Sequence, residues 1–401
     1  MSISELLSPA RDFEQLTMSL TYGADAVYLG GRVFGLRATA GNFDSAEIVD
    51  AISLCHEHGV RVYVTCNAVL SNNDVCALPG FLAVLADAGA DAVIVSDIGA
   101  LTLVQKYAPS VDIHISTQSG VFNYESARAL HELGASRIIL ARELPLYEIA
   151  RIRENTPAEL ELEAFVHGSM CMAISGRCLL SNYLTGRDAN RGECAQPCRW
   201  KYSLVEEQRP GEYLEITEDN GTYIMNSRDL CMIEHIGEMT DAGVTALKIE
   251  GRMKSAYYAA VITNAYRHAI DAASAGLPMK DVWRDEVDKV SHREYSTGFY
   301  FDSKGPGQFY SDSMYRSECD VVAVVEDCDM DGNATLTQRN KFYRGDQLEL
   351  LTPKNEPIAF TAEHITDADS QEIDSTPHPM MKLQIKLPLS APRYSILRKY
   401  R

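Results

Sequence analysis

One phrase of polar and apolar positions recurs along the chain: a glycine, a small or polar residue or two, then a short apolar run. It reads GADAVYLG at 23–30, GADAVIVSD at 89–97, GASRIILAR at 134–142 and GVTALKIEG at 243–251. The glycine closes a helical stretch in the left-handed conformation that it adopts cheaply, and the run that follows has the length of a strand. Further runs, ELLSP at 5–9, VRVYVTCN at 60–67, VDIHISTQ at 111–118 and LELEAFVHG at 160–168, bring the count to eight. Between them SAEIVDAISLCHEHG at 45–59, ALPGFLAVLADAG at 77–89 and NYESARALHELG at 123–134 repeat apolar residues at helical spacing. Strands alternating with helices predict a parallel sheet covered by helices. Eight such units favour a closed (β/α)8 TIM-like barrel over an open doubly wound sheet.

The stretch KSAYYAAVITNAYRHAIDAASAG at 254–276 predicts the last barrel helix, with Tyr257, Ile262, Tyr266 and Ile270 roughly on one face. The Gly-, Tyr- and Phe-rich passage that follows has no period and reads as a linker. From about 317 short strands separated by turn signals take over: CDVVAVVEDC, DGNATLTQ, DQLELLTP, PIAFTAEHI and MMKLQIKLP. The predicted organisation is a barrel over 1–295 with an insertion at 168–242 after strand seven, a linker at 296–316, and a small β-barrel-like domain at 317–401.

A barrel places its chemistry where strands end. The polar residues there are Asn67, Ser96, Asp97, Gln118, Arg142, His167, Glu250 and Arg252; taken singly, each could instead cap the next helix or close a turn. The insertion, EAFVHGSMCMAISGRCLLSNYLTGRDANRGECAQPCRWKY over its first part, carries Cys171, Cys178, Cys194 and Cys198 within 28 residues, spaced C-x6-C-x15-C-x3-C. Thiolates gathered in this way suit a zinc ion or an iron–sulfur cluster. Only Cys194 and Cys198 approach the spacing of a zinc knuckle. A third option is a nucleophile, Cys171 or Cys178, with His167 as its base and Glu163 orienting it on the same strand face. Arg177, Arg187, Arg191, Arg199 and Lys201 make the insertion locally basic, and clustered arginines near Arg142 and Arg252 suit a carboxylate or phosphate ligand as well as they suit salt bridges.

Composition narrows the setting. The 401 residues are 46% hydrophobic and 23% charged, ordinary for a globular protein, and carry a net charge of −19. That charge excludes indiscriminate phosphate-backbone binding, so any nucleic-acid contact must be local. No apolar run approaches the roughly 18 residues that a membrane helix needs, and the acidic start MSISELLSPARDFEQ does not read as a signal peptide. A cytoplasmic protein with no membrane partner is expected. In a reducing compartment the cysteines are not a disulfide scaffold, and the scattered Cys55, Cys66, Cys76, Cys231, Cys319 and Cys328 are expected to be small buried hydrophobes.

EAFVHGSMCMAISGRCLLS resembles the signature of peptidase family U32, the collagenase-like proteins. The likeness extends from GADAVYLGG near the start to LKIEGRMKSAYYAA and STGFYF. It is strongest to the branch of bacterial tRNA hydroxylation proteins. What the resemblance implies is oxygen-independent formation of 5-hydroxyuridine at the tRNA wobble position, with prephenate, a small carboxylate, as hydroxyl donor. It also implies a 4Fe-4S cluster held by Cys171, Cys178, Cys194 and Cys198, with Cys231 as the substitute should Cys198 be free. The anticodon loop of tRNA would be the partner, and a paralogous partner subunit is conceivable. His167, Arg177, Glu250, Arg252 and Arg142 are the residues expected around the reacting groups. Related branches hydroxylate a ribosomal RNA cytidine or a ubiquinone precursor. Arg11 stands where relatives often have glycine, which leaves the first strand-end loop less certain. The family's older name implies a peptidase, yet the chain has no G-x-S-x-G elbow and no H-E-x-x-H motif.

Overall fold

The computed structural model describes residues 4–36, 41–170, 178, 180–197, 200, 203–205, 213–215, 228–301, 316–353 and 355–401. All eight expected strands form: β1 (Glu5–Pro9), β2 (Ala26–Gly30), β3 (Arg61–Cys66), β4 (Ala92–Val95), β5 (Asp112–Ile115), β6 (Arg137–Ile139), β7 (Glu161–Ser169) and β8 (Ala246–Ile249). Each pairs in parallel with the next. β8 closes the ring by pairing with β7 (Ala246↔Glu163) and with β1 (Glu5↔Ala246). The glycines of the recurring phrase, Gly23, Gly89, Gly134 and Gly243, all have positive φ, as helix ends of this kind require.

The helices between them are α1 (Phe13–Thr21), α2 (Ser45–Glu57), α3 (Asn72–Ala88), α4 (Ile98–Tyr107), α5 (Tyr124–Glu132), α6 (Leu146–Glu154), α7 (Ile236–Asp241) and α8 (Ala256–Ser274). α3 begins five residues before the periodic stretch at 77–89 and runs through Pro79. Ser71 and Asp74 form a capping box that starts it early, so Pro79 falls inside the helix. Asp97 accepts from the Ala100 N–H at 3.1 Å and caps α4, so this strand-end residue serves the helix. Among the described residues no helix is long and apolar enough to cross a membrane.

After β7 the chain leaves the ring. A short helix at Leu180–Thr185 and a strand at Asp229–Cys231, antiparallel to the end of β7, belong to the long connection before α7. The second domain is an antiparallel sheet of seven strands: β9 (Cys319–Cys328), β10 (Asn333–Gln338), β11 (Gln347–Leu351), β12 (Ile358–Thr361), β13 (Ile365–Asp367), β14 (Lys382–Lys386) and β15 (Ile396–Tyr400). Their spatial order is β12-β11-β15-β9-β10-β14-β13. β13 and β15 escape the pattern reading because β13 is three residues long and β15 carries Arg398 facing inward. That arginine is fully buried and grips Glu286, on the barrel side, through two hydrogen bonds of 2.6 and 2.7 Å. Glu349 of β11 accepts from its Nε at 2.9 Å. The Tyr22 hydroxyl of the barrel donates to the carbonyls of Leu351 and Tyr394 of the second domain. Val324, Leu351 and Ile396 complete the junction by joining the barrel's own hydrophobic core.

Candidate active site

The inside of the barrel is charged from its floor to its mouth. At the floor Arg137 bonds Glu5 (2.7 Å) and Glu163 (3.1 Å), and the Tyr63 hydroxyl donates to Glu5 at 2.8 Å. Glu163 in turn holds the Lys248 ammonium at 2.7 Å. Glu5, Arg137, Glu163 and Lys248 are all buried, so each charge depends on its partner for the solvation it has lost. Lys248 also sits 4.4 Å from the Tyr28 ring centroid and 5.5 Å from that of Phe165, which fixes the ammonium between two aromatic faces.

Above Lys248 the mouth encloses a cavity lined by Tyr28, Leu36, Thr65, Asn67, Ile94, Ser116, Thr117, Gln118, Ile139, Phe165, Lys248, Glu250 and Arg252. Three of these come from one run, Lys248, Glu250 and Arg252, spaced by two as an extended chain spaces one face. Arg252 is buried; it donates to the Thr65 hydroxyl at 3.3 Å and to Asn42. A side chain at Gly30 would place its first carbon 2.6 Å from the Arg252 guanidinium, so glycine there makes room for the cation. Asn67 donates to Ser116 and Gln118, both at 3.2 Å, and lays a neutral polar wall opposite.

Of the eight polar strand ends, Asn67, Gln118, Glu250 and Arg252 line this cavity. Ser96 and Asp97 line a separate groove beside α4 and α5. Arg142 stops behind the cavity wall: its guanidinium lies 5.1 Å from the Phe165 ring centroid and donates to the Ser169 carbonyl at 3.0 Å. His167 is the clearest departure from the sequence expectation, which put it in the cavity on the face of Glu163 and Phe165. Lys248 pairs with Phe165 but Ile249 pairs with His167, so one extra residue bulges from β7 at Val166 and reverses the alternation. The imidazole therefore turns outward and is buried against α8. There Nδ1 lies 3.3 Å from the Tyr266 hydroxyl and Nε2 3.4 Å from that of Tyr295. Burial, reinforced by the nearby His292, Lys254 and Arg284, holds its pKa well below the usual histidine value. Gly168 ends the bulged strand at φ +109, where a first side-chain carbon would stand 2.4 Å from the Glu250 carbonyl oxygen. Lys248 is the cavity residue that counting strand ends missed; its signal was the two-residue spacing of ALKIEGR.

Arg177, Cys171 and Cys198 lie outside the described residues. Cys178 and Cys194 are half-buried in the connection after β7. The Asn190 side chain brackets Cys178, accepting from its N–H at 3.1 Å and donating to its carbonyl at 2.9 Å. The Gln196 N–H donates to the Cys194 sulfur at 3.4 Å. This connection is seated on the barrel mouth: the Val69 N–H donates to the Asn190 carbonyl at 3.0 Å, Arg191 donates to the Val69 carbonyl at 2.9 Å, and Arg191 pairs with Asp74 at 3.0 Å. Val69 is two residues beyond Asn67 of the cavity wall. Cys231 sits elsewhere. It lies opposite His167 with its sulfur 4.0 Å from the Tyr266 hydroxyl, and burial pushes its thiol up to about 11. Of the other scattered cysteines, Cys55, Cys66 and Cys319 are buried as expected, Cys328 is half-buried, and Cys76 is exposed. Among the described residues no three His, Cys, Asp or Glu side chains form a group that could hold a metal ion.

Comparison with known proteins places this architecture. Residues 11–309 match the model of peptidase family U32, and residues 317–398 match that of the family's C-terminal domain. The chain is 37% identical over 388 residues to tRNA hydroxylation protein P1 of Bacillus subtilis (strain 168), covering 96% of this chain and 92% of that one. It is 36% identical over 418 residues to tRNA hydroxylation protein P of Escherichia coli (strain K12), covering 93% and 91%. To the 23S rRNA 5-hydroxycytidine C2501 synthase of Escherichia coli (strain K12) it is 33% identical over 387 residues, covering 94% of this chain and 56% of that one. With both family models matched in order and the two tRNA hydroxylation proteins aligned nearly end to end, the chain belongs to peptidase family U32.

Proposed function

We propose that this chain is a tRNA hydroxylation enzyme that forms 5-hydroxyuridine at the wobble position without molecular oxygen. In this reading a small carboxylate such as prephenate donates the hydroxyl group, and Cys171, Cys178, Cys194 and Cys198 hold a 4Fe-4S cluster. The observation that carries the reading is the convergence of Lys248, Glu250 and Arg252 in one cavity, with the cysteine-bearing connection seated on its rim. Two cations and one carboxylate line the cavity, with Lys248 paired to Glu163 beneath it, and a guanidinium such as that of Arg252 takes a carboxylate through two parallel hydrogen bonds.

The two described thiols fit a cluster. A backbone N–H donating to sulfur, as Gln196 does to Cys194, favours the thiolate, and sulfur ligands suit iron–sulfur chemistry. When bound, the cluster supplies one-electron transfer or a Lewis-acidic iron. The chain's own residues do the rest. Arg252 and Lys248 bind and orient the donor's carboxylate. Asn67, Ser116 and Gln118 offer donors and acceptors to a pyrimidine edge. Replacing the C5 hydrogen of a pyrimidine by hydroxyl is a two-electron oxidation, so the hydroxyl donor must leave two electrons richer, and the C5 proton would pass to Glu250, the carboxylate in the cavity. A peptidase reading would need an imidazole beside a thiol at the mouth, and His167 faces α8 instead.

Anaerobic purification with iron and sulfide analysis, joined to nucleoside analysis of RNA from a deletion strain carrying the wild-type gene or Cys178→Ser, tests the reading. About four irons and four sulfides per chain are expected, with loss of both metal and wobble 5-hydroxyuridine in Cys178→Ser. A colourless protein with one zinc per chain overturns the cluster. Unchanged tRNA with loss of an rRNA hydroxycytidine or of a ubiquinone intermediate moves the substrate to a related branch.

A further inference from the structure

We infer that Tyr183 and Arg187, on the cysteine-bearing connection, form the surface on which an unpaired base of the RNA substrate stacks and its phosphate is held; this rests on the RNA reading above. Tyr183 is 85% exposed, the most exposed aromatic side chain among the described residues. It stands on the short helix Leu180–Thr185 beside Leu184, 41% exposed, and Trp200 on the same connection is 45% exposed. The next most exposed rings, Tyr147 at 61% and Phe301 at 52%, keep more of their surface covered, and the tyrosines around His167 pack against its ring. A ring left in water on an anchored element forgoes burial that a stacking partner would restore.

The element is anchored. Ser181 is fully buried and accepts from the Ala195 N–H at 3.0 Å, which ties the helix to the Cys194 segment. The charge around it points to one kind of partner. Arg187 is exposed and enters no ion pair among the described residues, while its neighbour Asp188 is engaged in accepting the Asn190 N–H at 2.9 Å. Residues 177–201 carry Arg177, Arg187, Arg191, Arg199 and Lys201 against Asp188 and Glu193, in a chain of net charge −19. A polyanion is attracted to this segment and repelled by the molecule as a whole, which excludes a general grip on duplex phosphates. An exposed aromatic ring with an arginine four residues along the chain suits single-stranded RNA, whose bases are free to stack, and not a helix whose bases are occupied. The connection also bonds Val69, two residues beyond Asn67 of the cavity wall, and Asp74, so a base parked on Tyr183 would lie on a segment tied to the barrel mouth.

The test uses the full chain purified without oxygen and a fluorescent anticodon stem–loop RNA, with binding read by anisotropy and 5-hydroxyuridine read in a complemented deletion strain. Tyr183→Ala and Arg187→Glu should each weaken binding about tenfold, and Tyr183→Phe, which keeps the stacking face, should stay within about twofold of wild type. Iron content and melting should match wild type in all three, since neither side chain is packed. Equal binding by wild type and Tyr183→Ala overturns the inference and leaves the RNA reading standing if wild type restores 5-hydroxyuridine. Loss of the modification in Tyr183→Ala with unchanged RNA binding overturns it in favour of a protein partner. A wild-type chain that neither binds the RNA nor restores the modification removes the RNA reading itself.

Discussion

β7 and β8 lie side by side in the barrel wall and both end in ionisable side chains, yet they deliver them to opposite sides of that wall. β8 leads into Lys248, Glu250 and Arg252, all in the cavity. β7 begins the same way, with Glu163 holding Lys248, then bulges at Val166 and turns His167 outward onto α8. The two backbones are tied across this divergence. The Glu250 N–H donates to the His167 carbonyl at 2.9 Å, and the Tyr300 and Tyr266 hydroxyls take the consecutive carbonyls of Phe165 and Val166 at 2.6 and 2.7 Å. The bulge is therefore a bonded feature of the fold. Its effect is to reserve β8 for cavity chemistry and to make the end of β7 the anchor from which the cysteine-bearing connection departs.

The hardest test of that division is Glu163→Gln. The substitution keeps shape but leaves the buried Lys248 ammonium without its carboxylate, and an uncompensated buried charge costs about 3–5 kcal/mol. Urea unfolding should show a loss of that size, and Glu163→Gln with Lys248→Met should recover a large part of it, because the double change removes the orphaned cation. If both single variants and the pair unfold like wild type, the charged floor does not hold the cavity cation in place.

The next test lies at the far end of β8. Arg252→Lys keeps a cation beside Gly30 and Thr65 but loses the planar fork that matches a carboxylate. If the proposed reaction is the chain's own, wobble hydroxylation should fall about 100-fold, equivalent to about 2.7 kcal/mol, with melting little changed. An equal rate in this variant would remove Arg252 from donor binding.

The contrast between these strands also marks how far the sequence could be read. Eight strands, their order and the closing glycines were legible because each is a local signal: an apolar run, a left-handed helix end, a cap. Glu250 and Arg252 were legible because position at a strand end suffices to place them at a barrel mouth. Lys248 was hidden inside an apolar strand, where its role depends on Glu163, 85 residues away in sequence. His167 was misplaced for the same kind of reason. The alternation of Glu163, Phe165 and His167 is regular on paper, and the extra residue is stabilised by hydrogen bonds from groups distant in sequence, the Met232 N–H and the Tyr266 and Tyr300 hydroxyls. Arg398 in β15 repeats the lesson, being a charge that faces inward because Glu286 of the other domain meets it there.

The smallest expected effect is also the one that discriminates best. His167→Phe removes one long hydrogen bond, because the Tyr266 hydroxyl donates to the Val166 carbonyl, the Tyr295 hydroxyl donates to the Val287 carbonyl at 2.8 Å, and a neutral imidazole has a single N–H to give. The cost at neutral pH should be about 1 kcal/mol or less, with hydroxylation within about twofold of wild type. A loss beyond about 100-fold in a folded variant would mean that the imidazole acts on the reaction, since that is the scale of a catalytic contact. The acid side separates a packing role from a chemical one. Burial holds both His167 and His114 well below the usual histidine pKa, His114 with the further influence of Arg137, Lys248 and Arg61. Below about pH 6.5 the unfolded chain protonates these imidazoles while the folded chain does not, so their contribution to stability is complete above that pH and is lost as pH falls toward the depressed folded values. Each imidazole contributes a slope approaching about 1.4 kcal/mol per pH unit in that window. His167→Phe should remove one of the two shares, making the variant less acid-sensitive than wild type between pH 6 and 5, while Arg252→Lys leaves the slope untouched.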